Sequence, residues 1–193
     1  AHGAGGILRR LTLGCAVAPF ENWQALEPLW NDVLADAELP NGFHMADFEA
    51  RVPPYDWDEP KRRDVLGRFL ALASQYVPTF LGYNDLPRDL PSVKDLRGVY
   101  RSNLIKFLET VERERDYVFK NEDVTVVFAV HKNISAESIG RAFARLQPTL
   151  GPKVHLGGFA SPEQLPPLQV ADLIAYEFSR TSREARPEQE RYP

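Results

Sequence analysis

The chain is almost without sulfur. Cys15 is its single cysteine and Met45 its single methionine among 193 residues, so neither an internal disulfide nor a cysteine-rich zinc site can form. No apolar run approaches the roughly 20 residues of a membrane-spanning helix, and no segment reads as a signal peptide. No G-x-S-x-G elbow, Walker loop or H-x-x-x-H pair occurs. There is no excess of basic charge either. Twenty-three Lys and Arg against 27 Asp and Glu give −4, which argues against an obligate polyanion binder of the histone kind but leaves room for a local basic groove. With no membrane segment and so little cysteine, the expected setting is cytoplasmic. The sequence begins Ala1-His2-Gly3 without an initiator Met, so its N-terminus reads as trimmed or as part of a longer chain.

What remains is an ordinary globular composition, 44% apolar and 26% charged, long enough for one domain with a real core. No internal repeat or low-complexity block is present. Residues 1–6 and the polar tail 180–193 read as loose, and 1–193 as a single domain. Ile7 to Val17 reads as a buried strand. Trp23, Leu26, Trp30, Val33 and Leu34 recur at helical spacing and predict a helix over 20–36, with Pro28 implying a bend. Asp58 before Pro60 caps a second helix with Val65, Phe69, Leu72 and Ala73 inward. Val77 to Tyr83 predicts a strand, and Ser92 the start of a long helix. Val124 to Val130 is β-branched and uncharged, which predicts a central strand with helices on both faces. Ser135 caps a helix presenting Ile139, Ala142, Phe143 and Leu146. Val154 to Phe159 is a strand, and Pro166 opens a last helix to about Phe178. The alternation predicts an α/β layered fold.

Three groups of residues could carry chemistry. Asp172 lies in the middle of the last helix, which is apolar nearly all round; a carboxylate there must be paired, protonated or bound to a cation. The structural alternative is a hydrogen bond or salt bridge to a neighbouring arginine, or exposure. Gln169 and Glu177 are placed on the wet side of the same helix. The second group is His44, Asp47 and Glu49. If this segment is a strand, Asp47 and Glu49 share a face and could hold Mg²⁺ or Mn²⁺; the alternative is a solvated loop with a capping Asp. Third, Arg97 with Arg101 and Arg141 with Arg145 pair at helical spacing. Such pairs could meet phosphates, or simply form a solvated face. His131 and His155 end predicted strands without metal-type spacing, and Cys15 reads as an inert core thiol. Tyr55, Trp57 and Tyr117, if exposed, would form an interface patch of a structural subunit.

Two segments carry a resemblance: Gly42-Phe43-His44-Met45-Ala46-Asp47-Phe48-Glu49, and Pro167-Leu168-Gln169-Val170-Ala171-Asp172-Leu173-Ile174-Ala175-Tyr176-Glu177. They resemble the signatures of the prokaryotic domain-of-unknown-function 3800 family, regarded as RNase H-like, and the order of elements between them matches along about the whole chain. The resemblance implies an RNase H-like mixed β-sheet flanked by helices. It further implies a metal-dependent nuclease working by two-metal-ion phosphodiester hydrolysis, with Asp172, Asp47 and His44 as catalytic residues and Asp172, Asp47 and Glu49 as ligands to Mg²⁺ or Mn²⁺. The chain departs from the family at its first strand, whose Asp-Glu-Ser-Gly motif has no counterpart here. It departs again at the end of the apolar strand, where His131 follows Val130 in place of an acid. A catalytically inert nucleic-acid- or protein-binding module of the same fold is therefore the alternative.

Overall fold

A computed structural model of the protein describes residues 11–85, 93–118, 122–130 and 135–184. Its elements run β1 (Leu11–Val17), α1 (Phe20–Asp36), α2 (Met45–Ala50), α3 (Glu59–Tyr76), β2 (Thr79–Asp85), α4 (Val93–Val118), β3 (Val124–Ala129), α5 (Ala136–Leu150), β4 (Val154–Ala160) and α6 (Pro166–Glu184). A single 3-10 turn, Pro162–Gln164, precedes α6. The class is mixed α/β, as the alternating pattern predicts. Among the described residues the strands form two separate two-stranded sheets, β1 with β2 and β3 with β4.

The chain divides into two compact units. Among the described residues, one takes 14–82 and 162–184, the other 11–13 and 83–161. In the first, Leu26, Trp30, Val33 and Leu34 of α1 are buried together with Val65, Phe69 and Ala73 of α3 and Val170 and Leu173 of α6. The helical spacing therefore identified the inward faces correctly, and α1 continues through Pro28. Aromatic rings dominate this core. Trp30 and Phe69 lie 4.4 Å apart between centroids, and Phe43 and Phe69 4.6 Å. Asp58 caps α3 by accepting the Lys61 N–H at 3.0 Å, with Pro60 in the first turn.

β1 crosses α6 at close range. A Cβ on Gly14 would lie 2.6 Å from the Ala175 amide nitrogen and would also strike the Ala171 carbonyl. Backbone cannot give way as a side-chain tip can. Gly14→Ala is therefore expected to cost about 3 kcal/mol of stability, at the upper end for overpacking, which urea unfolding would measure. A loss below about 0.5 kcal/mol would mean that the strand and helix are not in this contact. The neighbouring Cys15 is partly buried, and burial pushes its thiol up to about 12, so it carries little thiolate at neutral pH.

In the second unit, Leu104, Phe107, Leu108 and Val111 of α4 are buried, as are Ile139, Ala142 and Phe143 of α5. Leu146 is only partly buried. Ser135 caps α5 through the Ser138 N–H at 3.2 Å. β3 and β4 run parallel, with one register shift after Val126. Here the structure corrects an expectation. Strand β3 is not covered on both faces among the described residues: Phe128 is buried against Phe143 and Phe159, while Thr125 and Val127, which point to the other side, are exposed. β-Branching selects an extended backbone but does not say which side of the pleat is covered.

Two further expectations are corrected. Helix α6 continues past Phe178 to Glu184, into the tail expected to be loose. Tyr55, expected to be exposed, is 4% accessible and packs among Phe43, Phe48 and Trp57. The interface patch loses its first member; the side chain of Tyr117 lies outside the described residues. So do residues 1–6, 185–193 and His131, and the side chains of Arg97 and Arg101.

Candidate functional site

The two signature segments lie against each other in the first unit. The path to this arrangement starts at Gly42, whose φ of +80° is a conformation that side chains resist. A Cβ there would also lie 2.5 Å from the Gln169 amide nitrogen. The chain then extends through Phe43 and His44 and enters α2, a six-residue helix with His44 as its N-cap.

Gln169 fixes this entry. Its Oε1 accepts the Trp30 indole N–H at 2.9 Å and the Phe43 backbone N–H at 2.8 Å, and its Nε2 donates to the Pro162 carbonyl at 2.8 Å. Both lone pairs of the amide oxygen are thus used. The residue is 1% exposed, so its expected place on the wet side of α6 is corrected. A signal was present in the sequence: Gln169 lies four residues before Leu173 and hence on the same helix face, and Leu173 is core.

Asp172 stands one turn further along α6. Its Oδ2 accepts the Met45 backbone N–H at 2.9 Å and lies 3.2 Å from His44 Nδ1. About a third of the side chain is exposed. The carboxylate is therefore paired, as its apolar surroundings demanded, but with a helix N-terminus and an imidazole in place of an arginine.

His44 is more exposed than Asp172 and faces two partners through one atom. Nδ1 lies 3.3 Å from the Ala46 N–H as well as 3.2 Å from Asp172 Oδ2. It accepts from the amide when it carries no proton and donates to the carboxylate when it does, so the two contacts select opposite tautomers. The hydrogen bond to Asp172 raises the His44 pKa, helped by the charges of Asp172 and Asp47 and opposed by partial burial. No hydrogen bond to Nε2 is found among the described residues. Tyr55 supports the segment from beneath: its hydroxyl accepts the His44 N–H at 2.9 Å and donates to the Gly42 carbonyl at 3.1 Å. Burial, foremost, raises the Tyr55 pKa and keeps the phenol protonated.

The far end of α2 is held by Arg62, a residue the sequence did not single out. It is 7% exposed, with its guanidinium 4.0 Å over the Phe48 ring. Nη1 donates to the carbonyls of Phe48 at 2.6 Å and Tyr55 at 3.2 Å. A cation at the C-terminal end of α2 and a carboxylate at its N-terminal end both oppose the helix dipole.

Asp47 and Glu49 are not paired on one face. The segment is helical, so two positions turn the side chain about 200° around the axis. Asp47 remains close enough to His44 to act on its charge, whereas both acids are exposed. The ligand set for two cations is thus not assembled. Among the described residues no group of three His, Cys, Asp or Glu side chains could hold a metal ion. Of the four expected site residues only His44 and Asp172 are in direct contact, and one carboxylate oxygen is already occupied. These residues do not fit a two-metal centre, and no chemical step is routed through one. His155 is exposed near Asp123 at 3.7 Å, a surface pair.

What the arrangement can do is move a proton. A carboxylate facing Nδ1 holds an imidazole in the tautomer whose Nε2 lone pair is free, the arrangement of a general base. Among the described residues no helix is long and apolar enough to cross a membrane. No family model matches the chain, and neither a curated protein nor a solved structure matches it.

Proposed function

We propose that the chain is a nuclease of RNase H-like fold in which His44, oriented by Asp172, takes a proton from a water whose oxygen attacks phosphorus as the ester P–O bond breaks, the leaving oxygen taking a proton from solvent. The observation carrying this reading is the His44–Asp172 contact, made between two segments whose hydrogen-bonded partners Met45 and Asp172 are 127 residues apart. Asp47 adds negative charge beside the imidazole and so strengthens it as a base. Nucleic acid as substrate follows from the resemblance of the two signatures, and a cytoplasmic setting from the composition. The test is cleavage of end-labelled RNA and DNA oligonucleotides by the wild type and by His44→Ala and Asp172→Asn, each with EDTA and with Mg²⁺ or Mn²⁺. Cleavage by the wild type with loss in both variants is expected. Equal activity in all three removes the pair from the reaction. Wild-type cleavage abolished by EDTA would bring in ligands other than these two.

A second reading has its own support. Asp172 Oδ2 and His44 Nδ1 both engage backbone N–H groups at the start of α2, as they would in a binding module that uses them only to shape the loop. Absence of cleavage by the wild type, with retained nucleic-acid binding, would favour it.

A further inference from the structure

Helix α5 presents an open groove of about 380 Å³ lined by Ser138, Arg141, Ala142 and Arg145. Ser138, Arg141 and Arg145 follow at three- and four-residue intervals and so share a face, while Ile139 and Phe143 turn into the core. Arg141 is held by Glu137, Nη1 to Oε1 2.6 Å. For Arg145 no hydrogen bond or ion pair is found among the described residues. The helix carries no other charged side chain, so this face has a net positive charge within a chain of −4.

We propose that this groove binds the phosphodiester backbone of a nucleic acid strand, with Arg145 and Arg141 each meeting a phosphate and the Ser138 hydroxyl donating to one of them. Charge complementarity selects the occupant. Residues four apart rise about 6 Å along the helix axis, so the two long side chains start far enough apart to meet separate phosphates. Glu137 competes for Arg141, so the groove engages a polyanion more firmly than a single small anion. The inference rests on the nucleic-acid reading above but uses none of the residues assigned to proton transfer.

The experiment is anisotropy of a fluorescein-labelled single-stranded oligonucleotide, titrated across a salt series with the wild type, Arg141→Gln/Arg145→Gln and Glu137→Gln. All three positions are exposed, so the fold is expected to survive, and circular dichroism would show it. The double variant is expected to bind roughly tenfold more weakly at low salt, with the slope of log K against log salt reduced by about 1.4. Glu137→Gln frees Arg141 and is expected to bind more tightly than the wild type. Unchanged affinity and slope in the double variant overturn the groove, while wild-type cleavage in the same preparation would leave the nuclease reading standing. Binding of the wild type to poly-glutamate as tight as to the oligonucleotide overturns it too, by assigning the face to acidic proteins. No binding of any oligonucleotide by the wild type sinks the groove and the nucleic-acid reading together.

Discussion

Replacing Gln169 by leucine is expected to remove about 4 kcal/mol of folding stability, although the two side chains are close in size and leucine is the more apolar. The amide oxygen accepts from the Trp30 indole and the Phe43 backbone, and both donors lie in residues that are at most 2% exposed. Leucine leaves the two N–H groups without an acceptor and without water. Each such orphan costs about 1–3 kcal/mol, and the Pro162 carbonyl loses its donor as well, against roughly 2 kcal/mol regained from burying the more apolar side chain. The loss has a local consequence as well. Phe43 precedes His44, so an unheld Phe43 amide frees the segment that presents the imidazole. Gln169→Glu adds a cost of a different kind: a carboxylate keeps an acceptor for both donors but loses the donation to Pro162 and places a charge where there is almost no water. Urea denaturation of the two variants measures the difference. If Gln169→Leu lost less than about 1 kcal/mol, the contact between the two signature segments would not be the one described.

How far the sequence disclosed this site can be judged at three residues. Asp172 was conspicuous because a lone acid in an apolar helix demands a partner, and the partner exists. Its nature was not readable, since a backbone N–H offered by a distant helix start leaves no mark on the side-chain pattern. Gln169 was misplaced for a different reason. Uncharged polar side chains sit on either side of a helix, and only its four-residue spacing from Leu173 pointed inward. Asp47 and Glu49 share a face only at a period of two, and the short segment after Pro40-Asn41-Gly42 supports strand and helix equally well. The helix here spans six residues, too few for periodicity to decide. The fold was more legible where elements were long. The inward faces of α1, α3 and α5 follow from apolar spacing, and the caps at Asp58 and Ser135 from residue type. The pairing of four strands into two sheets depends on contacts far apart in sequence, which spacing does not encode.

If the chain cleaves phosphodiesters as proposed, His44→Ala is expected to lower that rate by roughly 10²- to 10⁴-fold, the range spanned by a positioned proton acceptor. A structural role for the imidazole could produce a loss of that kind, so the pH profile is the more telling measurement. The His44 pKa lies above its ordinary value of 6.5, first because of the hydrogen bond to Asp172. A base acts when unprotonated, so activity should rise with pH through a midpoint above 6.5. Stability should change in the opposite sense. A folded-state pKa raised above the unfolded value means that the His44–Asp172 attraction contributes fully below about pH 6.5, while Asp172 is ionised, and is lost as pH rises through the raised value. On the proposed reading, the unprotonated base therefore forms over the pH interval in which this contact stops stabilising the fold. Asp172→Asn should return the midpoint towards 6.5, and Asp47→Asn should lower it by less, because Asp47 is the weaker of the two influences. Titration of the His44 ring protons by NMR in the three proteins reads the midpoints directly, and the rate profiles should follow them. A rate midpoint that ignores Asp172→Asn while the NMR midpoint moves would show that His44 titrates beside the reaction without taking part in it.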